Sequence, residues 1–335
     1  MKEKIQACLL GAAIGDGMGQ PFETMSRKRI AKLVPGGVTT FMDGMQMKIR
    51  ENANLRAGQT TDDFQLSKMV GYSLIKHRGF NLEGMESAHI QALRSSTAGW
   101  GENTKLAIQA FLDYEETDAR EGRMRGTPSI SSGPMRGAAN GVAMKTAPLG
   151  CFHMARDGEA FSQRQLWLEC YALGVMTHTD PQAWDTAFAV AYLAAWALAD
   201  PIETHMDAKD RLKRLIGAIP KQSSSTQAAL EQGVRMIGNP DRITFEITPG
   251  WLANQSVVYS ILMYLTYRDD FQAGVLRAVN DGIDCDTTAS MVGALIGANS
   301  GLEVIPPEWQ TFHPSYQEAF TLGSSLYETA KRCRP

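Results

Sequence analysis

Residues 281–288 read Asp281-Gly282-Ile283-Asp284-Cys285-Asp286-Thr287-Thr288, and residues 289–301 continue as ASMVGALIGANSG. Two carboxylates two residues apart in a turn can aim at one point. Thr287 and Thr288 stand where they can cap the helix opened by the small-residue run, whose positive end faces the same point. Carboxylate and hydroxyl oxygens, with no His or Cys cluster nearby, suit a hard cation such as Mg2+ or Mn2+ better than zinc. A helix cap followed by a solvated acidic turn accounts for the same residues without a metal.

A second copy of this chemistry favours the metal. Gly58-Gln59-Thr60-Thr61-Asp62-Asp63 opens another helical run, FQLSKMVGYSLIKH. Adjacent carboxylates raise each other's pKa unless a cation intervenes, and the helix dipole explains an acidic helix start only in part. If the fold brings the two motifs together, four carboxylates and two hydroxyls can hold two metal ions. Gly11, Ala12 and Gly15 near the start, and Gly293, Ala294, Gly297 and Ala298 near the end, recur at helical spacing. Such stripes let helices approach closely, which would bring the acidic motifs to one centre.

The 335 residues suffice for one large domain or two ordinary ones. A hydrophobic fraction of 44% and a charged fraction of 21% are those of a soluble globular chain, and the net charge of -3 argues against nucleic-acid binding. Five scattered cysteines, Cys8, Cys151, Cys170, Cys285 and Cys333, lack CxxC spacing and read as reduced thiols in a cytoplasmic protein. MKEKIQACLLGAAIG has a faint leader-like pattern that Glu3, Gln6 and Asp16 interrupt, so it reads as an amphipathic first helix. No run of about 18 apolar residues exists to span a membrane.

Helical patterns fall at about 60–77, 82–96, 102–116, 141–154, 162–178, 182–199, 207–218, 226–237, 251–267, 270–280, 286–299 and 315–332. Irregular loops are expected near 35–58, rich in Gly, Met and Asn, and near 117–140, charged and then rich in Gly, Ser and Pro. Only ITFEI at 243–247 looks β-like. One such segment makes no sheet, and no repeat indicates a solenoid. The expectation is an all-α, orthogonal multi-helix domain over 1–335.

At this point the sequence resembles the ADP-ribosylglycohydrolases. GAAIGDGMGQPFE looks like the family's first acidic segment, placing Asp16 and Glu23 at its acidic positions. TTDD looks like its first metal motif and DCDTTASMVGALIGA its second. NGVAMKTAPLG resembles its glycine-rich substrate loop, and THTDP its Thr-His turn. Phe64, Ile283, Cys285 and Lys145 depart from the pattern, with Ile283 standing where a Gly is expected.

The resemblance implies the same all-α fold and hydrolysis of the glycosidic bond between ADP-ribose and a protein side chain, arginine first. It implies two divalent ions, Mg2+ before Mn2+, on Thr61, Asp62, Asp63, Asp284, Asp286 and Thr287, with Glu23 as a movable acid/base or ligand. Substrate contacts fall to Gly99, Trp100 and Gly101, to Asn140, Gly141, Val142, Ala143 and Met144, and to His178. Backbone N–H groups at Asn140-Gly141 are candidates for a diphosphate. Taken alone, Asn140-Gly141 is a turn, His178 a cap and Trp100 a core residue. Cys285 is no nucleophile, because a thiol beside two carboxylates has its pKa raised. Partners would be an ADP-ribosylated protein or a small ADP-ribosyl conjugate, with neither nucleic acid nor membrane. Serine or other ADP-ribosyl linkages, and a non-catalytic binding or blocking protein of the same fold, are the alternatives.

Overall fold

A computed structural model describes residues 1–44, 55–121, 137–199 and 207–334. Among them the chain opens with α1 (Lys2–Gly19), α2 (Arg27–Leu33), α3 (Asp62–His77), α4 (Leu82–Ser95), α5 (Glu102–Glu121), α6 (Ala147–Asp157), α7 (Gln163–Val175) and α8 (Pro181–Ala199). It continues with α9 (Ala208–Ala218), α10 (Ser224–Gly233), α11 (Pro240–Glu246), α12 (Ala253–Tyr267), α13 (Phe271–Asp281), α14 (Cys285–Ser300), α15 (Pro307–Gln310) and α16 (Pro314–Arg332). The described residues hold no strand, only two isolated bridges, Ser26 with Gly282 and Ala139 with Leu252. The fold is all-α, as the periodicity requires.

α1 and α14 pack against each other more extensively than any other helix pair. The small-residue stripes make this possible. A Cβ built on Gly11 would lie 2.2 Å from the Gly293 carbonyl oxygen, and one on Gly297 would lie 2.2 Å from that of Ala7. The backbones touch with no room for a side chain. Gly11→Val should therefore cost about 3 kcal/mol or more, a severe overpacking loss, read as a fall in urea midpoint. An unchanged midpoint would refute the contact.

Several expectations are corrected. α1 is not amphipathic: every residue from Ile5 to Gly19 is buried, because α14, α16, α3 and α6 all pack on it. Residues 243–246 of ITFEI are helical, inside α11, and Ile247 is its C-cap. Asn239 accepts from the Arg242 N–H as N-cap, Pro240 occupies the first turn, and Ile243 and Ile247 are buried four residues apart. The helix expected over 141–154 is split into a short 3-10 turn, Ala143–Lys145, and α6, whose first turn contains Pro148. α5 runs five residues into the loop expected from 117, while 122–136, like 45–54 of the earlier loop, lie outside the described residues.

Candidate acidic active site

Both acidic motifs start helices, but no threonine hydroxyl makes the capping hydrogen bond. Thr61 is the N-cap of α3, yet its hydroxyl donates to Asp16 Oδ1 at 2.8 Å. The N–H groups of Thr61 and Phe64 also donate to the Asp16 carboxylate, at 2.9 and 3.0 Å. Asp16, fully buried on α1, thus acts as the cap of a helix remote in sequence. At the second motif the N-cap is Asp284, not a threonine. Thr288 lies within the first turn of α14 and donates to the Asp284 carbonyl at 2.9 Å. Thr287 Oγ1 reaches across the site to Asp63 Oδ2 at 3.1 Å, joining the two motifs.

Glu23 arrives by a backbone bridge. Ile283 N–H donates to the Met25 carbonyl at 2.6 Å, and Thr24 N–H donates to that of Ile283 at 2.5 Å. Thr24 and Ile283 both adopt positive φ, +70° and +64°. For a β-branched residue this is a strained conformation that glycine would relieve. It explains why a Gly is expected at position 283. The bridge brings Glu23, Asp284 and Asp286 together, with one oxygen of each within 4.8 Å of the others.

These three and Asp62 and Asp63 line one cavity of about 590 Å3. Its lining also includes Gly99, Trp100, Gly101, Asn140, Gly141, Met144, His178 and Thr287. Thr61, Val142 and Ala143 lie behind this wall, all buried. Glu102, Asn103, Thr104, Ala139 and Trp251 line the cavity as well and went unread in the sequence. The first three directly follow Gly101, so the glycine-flanked Trp100 was a signal for them; Trp251 had none.

The neighbours fix several roles. Gly99 has φ +80°, and a Cβ there would lie 2.5 Å from Asp62 Oδ1, so this turn must be glycine to pass the first motif. Trp100 is buried and donates through Nε1 to Gln65 Oε1 at 2.7 Å. Asn140 differs from expectation: its N–H donates to the Trp251 carbonyl at 3.1 Å and is not left for a diphosphate. Its side chain instead donates to Asp284 Oδ2 at 2.5 Å and to Ser256 Oγ at 2.9 Å, orienting that carboxylate. His178 bonds Thr177 through Nδ1 at 2.8 Å, and burial pushes its pKa down to about 3, so it works as a neutral ring. The Cys285 thiol is pushed well up by burial and then by Asp286, and donates to the Gly19 carbonyl. It is no nucleophile.

Electrostatically the site is under-compensated. Burial, then neighbouring anions, push Asp62, Asp63 and Asp286 well above the usual carboxylate range. Burial likewise raises Asp284 to about 7 and Asp16 to about 6. Asp63 Oδ1 and Asp286 Oδ1 are buried with no hydrogen-bond partner. Among the described residues the cavity lining contains six carboxylates and neither Lys nor Arg; buried Lys145, outside the lining, is the cation whose charge acts on Asp62. Orphaned anionic oxygens in an all-oxygen donor set fit a hard divalent cation.

The model of the ADP-ribosylglycohydrolase family matches residues 1–334. The ADP-ribosyl-[dinitrogen reductase] glycohydrolase of Rhodospirillum rubrum is 24% identical, over 92% of this chain and 89% of its own. The ADP-ribosylarginine hydrolase Tri1 of Pseudomonas putida is 24% identical over 98% of this chain and 79% of its own. A solved structure titled an ADP-ribosylglycohydrolase-related protein complex superimposes with a TM-score of 0.68 at 22% identity, covering 98% of each chain.

Proposed function

Because the chain belongs to the ADP-ribosylglycohydrolase family, we propose that it hydrolyses the glycosidic bond between ADP-ribose and a protein side chain, arginine being the preferred linkage. The observation that carries this reading is the cavity whose lining, among the described residues, has six carboxylates and no Lys or Arg, two of its buried oxygens unpartnered. Asp62, Asp63, Asp284 and Asp286, with Thr61 and Thr287, would hold two divalent ions, Mg2+ before Mn2+. When bound, the pair supplies Lewis acidity at the ribose. Two dications offset four of the six negative charges, and the remaining Glu23 and Glu102 favour a cationic leaving group. A guanidinium has that charge; a serine hydroxyl does not. The name of the Pseudomonas relative points the same way.

The chain's own groups do the rest. Asn140 and Thr287 hold Asp284 and Asp63 in place, and the glycines at 99 and 141 let the wall pack closely on Asp62 and His178. Neutral His178 offers a hydrogen bond without adding charge. Glu23, half-buried and set on its bridge beside Asp284 and Asp286, is the group that moves a proton. Glu23→Gln should lower turnover about 10²–10⁴-fold, the range of general acid–base catalysis, and change Mn2+ affinity far less. Unchanged turnover would remove Glu23 from the mechanism.

The function is tested by ADP-ribose release from an arginine-ADP-ribosylated protein and a serine-ADP-ribosylated peptide, with Mg2+, Mn2+ or EDTA. Metal-dependent release from the arginine substrate is expected. Release from serine alone would reassign the linkage, and release from neither would overturn the hydrolase.

A further inference from the structure

One apolar feature lies beside the acidic centre without belonging to it. Residues 245–252 read Phe245-Glu246-Ile247-Thr248-Pro249-Gly250-Trp251-Leu252. Three of the large hydrophobic residues most open to solvent fall in these eight positions: Phe245 is 89% exposed, Trp251 49% and Leu252 47%. Exposed apolar residues scattered singly need no explanation, but three within one eight-residue segment that reaches the cavity lining do.

The segment is held rigidly. Thr244 Oγ1, at its start, donates to Asp281 Oδ2. The Pro249 carbonyl accepts from the Asp284 N–H at 3.1 Å. These anchors sit three residues apart, immediately before and within the second acidic motif, so the segment runs alongside that motif. Ile247 is buried beneath it. At its far end Trp251 lines the cavity, and Leu252 bridges to Ala139, which also lines it. Through Trp251 the lip reaches the mouth, and its two anchors limit the backbone ordering that binding would cost.

We propose that Phe245–Leu252 is the docking lip for the polypeptide that carries the ADP-ribosyl group, seating an apolar side chain that flanks the modified residue. This rests on the hydrolase reading above. The occupant follows from chemistry at the mouth. Glu102, exposed on the rim, and Glu23 leave an acidic side for a cationic residue, and the lip supplies an apolar side next to it. A loop pairing a basic residue with an apolar neighbour satisfies both. The lip thus separates two kinds of recognition: the cavity takes the ADP-ribose, and the lip takes the protein.

The test compares an arginine-ADP-ribosylated protein with ADP-ribosylagmatine, which carries the same linkage and no polypeptide. Phe245→Ser, at a side chain 89% exposed, should lower kcat/KM on the protein about tenfold through KM. On ADP-ribosylagmatine it should stay within twofold of wild type. Leu252→Ser should show the same split. Equal losses on both substrates, or no loss on the protein, would overturn the lip. Wild-type protein that cleaves neither substrate would overturn the hydrolase reading and the lip with it. Cleavage of both with no split removes the lip alone.

Discussion

Asp286→Asn, and separately Asp62→Asn, should leave a folded protein whose turnover with Mg2+ has fallen at least about a thousandfold. Metal charge stabilisation is worth several kcal/mol, and each 1.36 kcal/mol is a factor of ten in rate. Asn keeps the shape of the side chain but surrenders an anionic oxygen. The fold should survive because these carboxylates are already unfavourable as anions: burial, then Glu23 for Asp286 and Asp16 for Asp62, holds their pKa values well up. Removing one charge relieves repulsion among the rest. In EDTA at pH 8 each variant should melt above wild type, although inactive. The pair of readings is diagnostic, since a merely structural aspartate would lower melting temperature and activity together. Near-normal turnover in either variant would show that the acidic centre is not the catalytic site.

The second large effect is the pH dependence of the metal-free protein. An unfolded Asp titrates near 3.9. In the folded chain Asp16 is raised to about 6 and Asp284 to about 7, with Asp62, Asp63 and Asp286 also well up. A carboxyl raised on folding binds its proton more tightly in the native state. Its stabilisation is therefore complete below about pH 4 and is lost as pH rises through the folded value. Buried bases work against this. His89 and His178 are depressed, which favours the native state as pH rises towards about 6.5. Lys145, depressed to about 7 by burial, does the same above that pH.

Between pH 5 and 7 the raised carboxyls outnumber the two depressed histidines, so stability should fall across that window. Each net proton bound by the native state is worth about 1.4 kcal/mol per pH unit. Thermal unfolding in EDTA should show a melting temperature lower at pH 8 than at pH 5. Mn2+ should raise it more at pH 8 than at pH 5, where more of the ligands must first be deprotonated. A flat or rising profile in EDTA would mean that the carboxylates are compensated within the protein, and the case for metal would lose its electrostatic basis.

The two Thr-Asp motifs were legible because their chemistry is local. Paired carboxylates at a helix start carry their own electrostatic signature, and small residues at helical spacing show which helices must touch. The helix starts and the all-α class followed from periodicity and caps. What was misread or left unseen depended on partners distant in sequence. Thr61 was read as a metal ligand, and what the sequence did not show is that its hydroxyl also donates to Asp16, forty-five residues earlier. Asn140 was expected to offer its N–H to phosphate, but that N–H meets Trp251 and its side chain orients Asp284. ITFEI alternates like a strand, yet Asn239, Pro240 and the anchoring of Thr244 on Asp281 make it a helix.

Sequence alone thus determined the fold class, the acidic residues and the close approach of α1 and α14, since each follows from residue type and short-range spacing. Tertiary structure alone decided that Glu23 stands beside Asp284 and Asp286, through a bridge that forces Ile283 to positive φ. It also decided that Trp251 lines the cavity and that Phe245, in the same segment, stands exposed. Those placements depend on which backbone groups meet across the fold, and no periodicity within one segment encodes that.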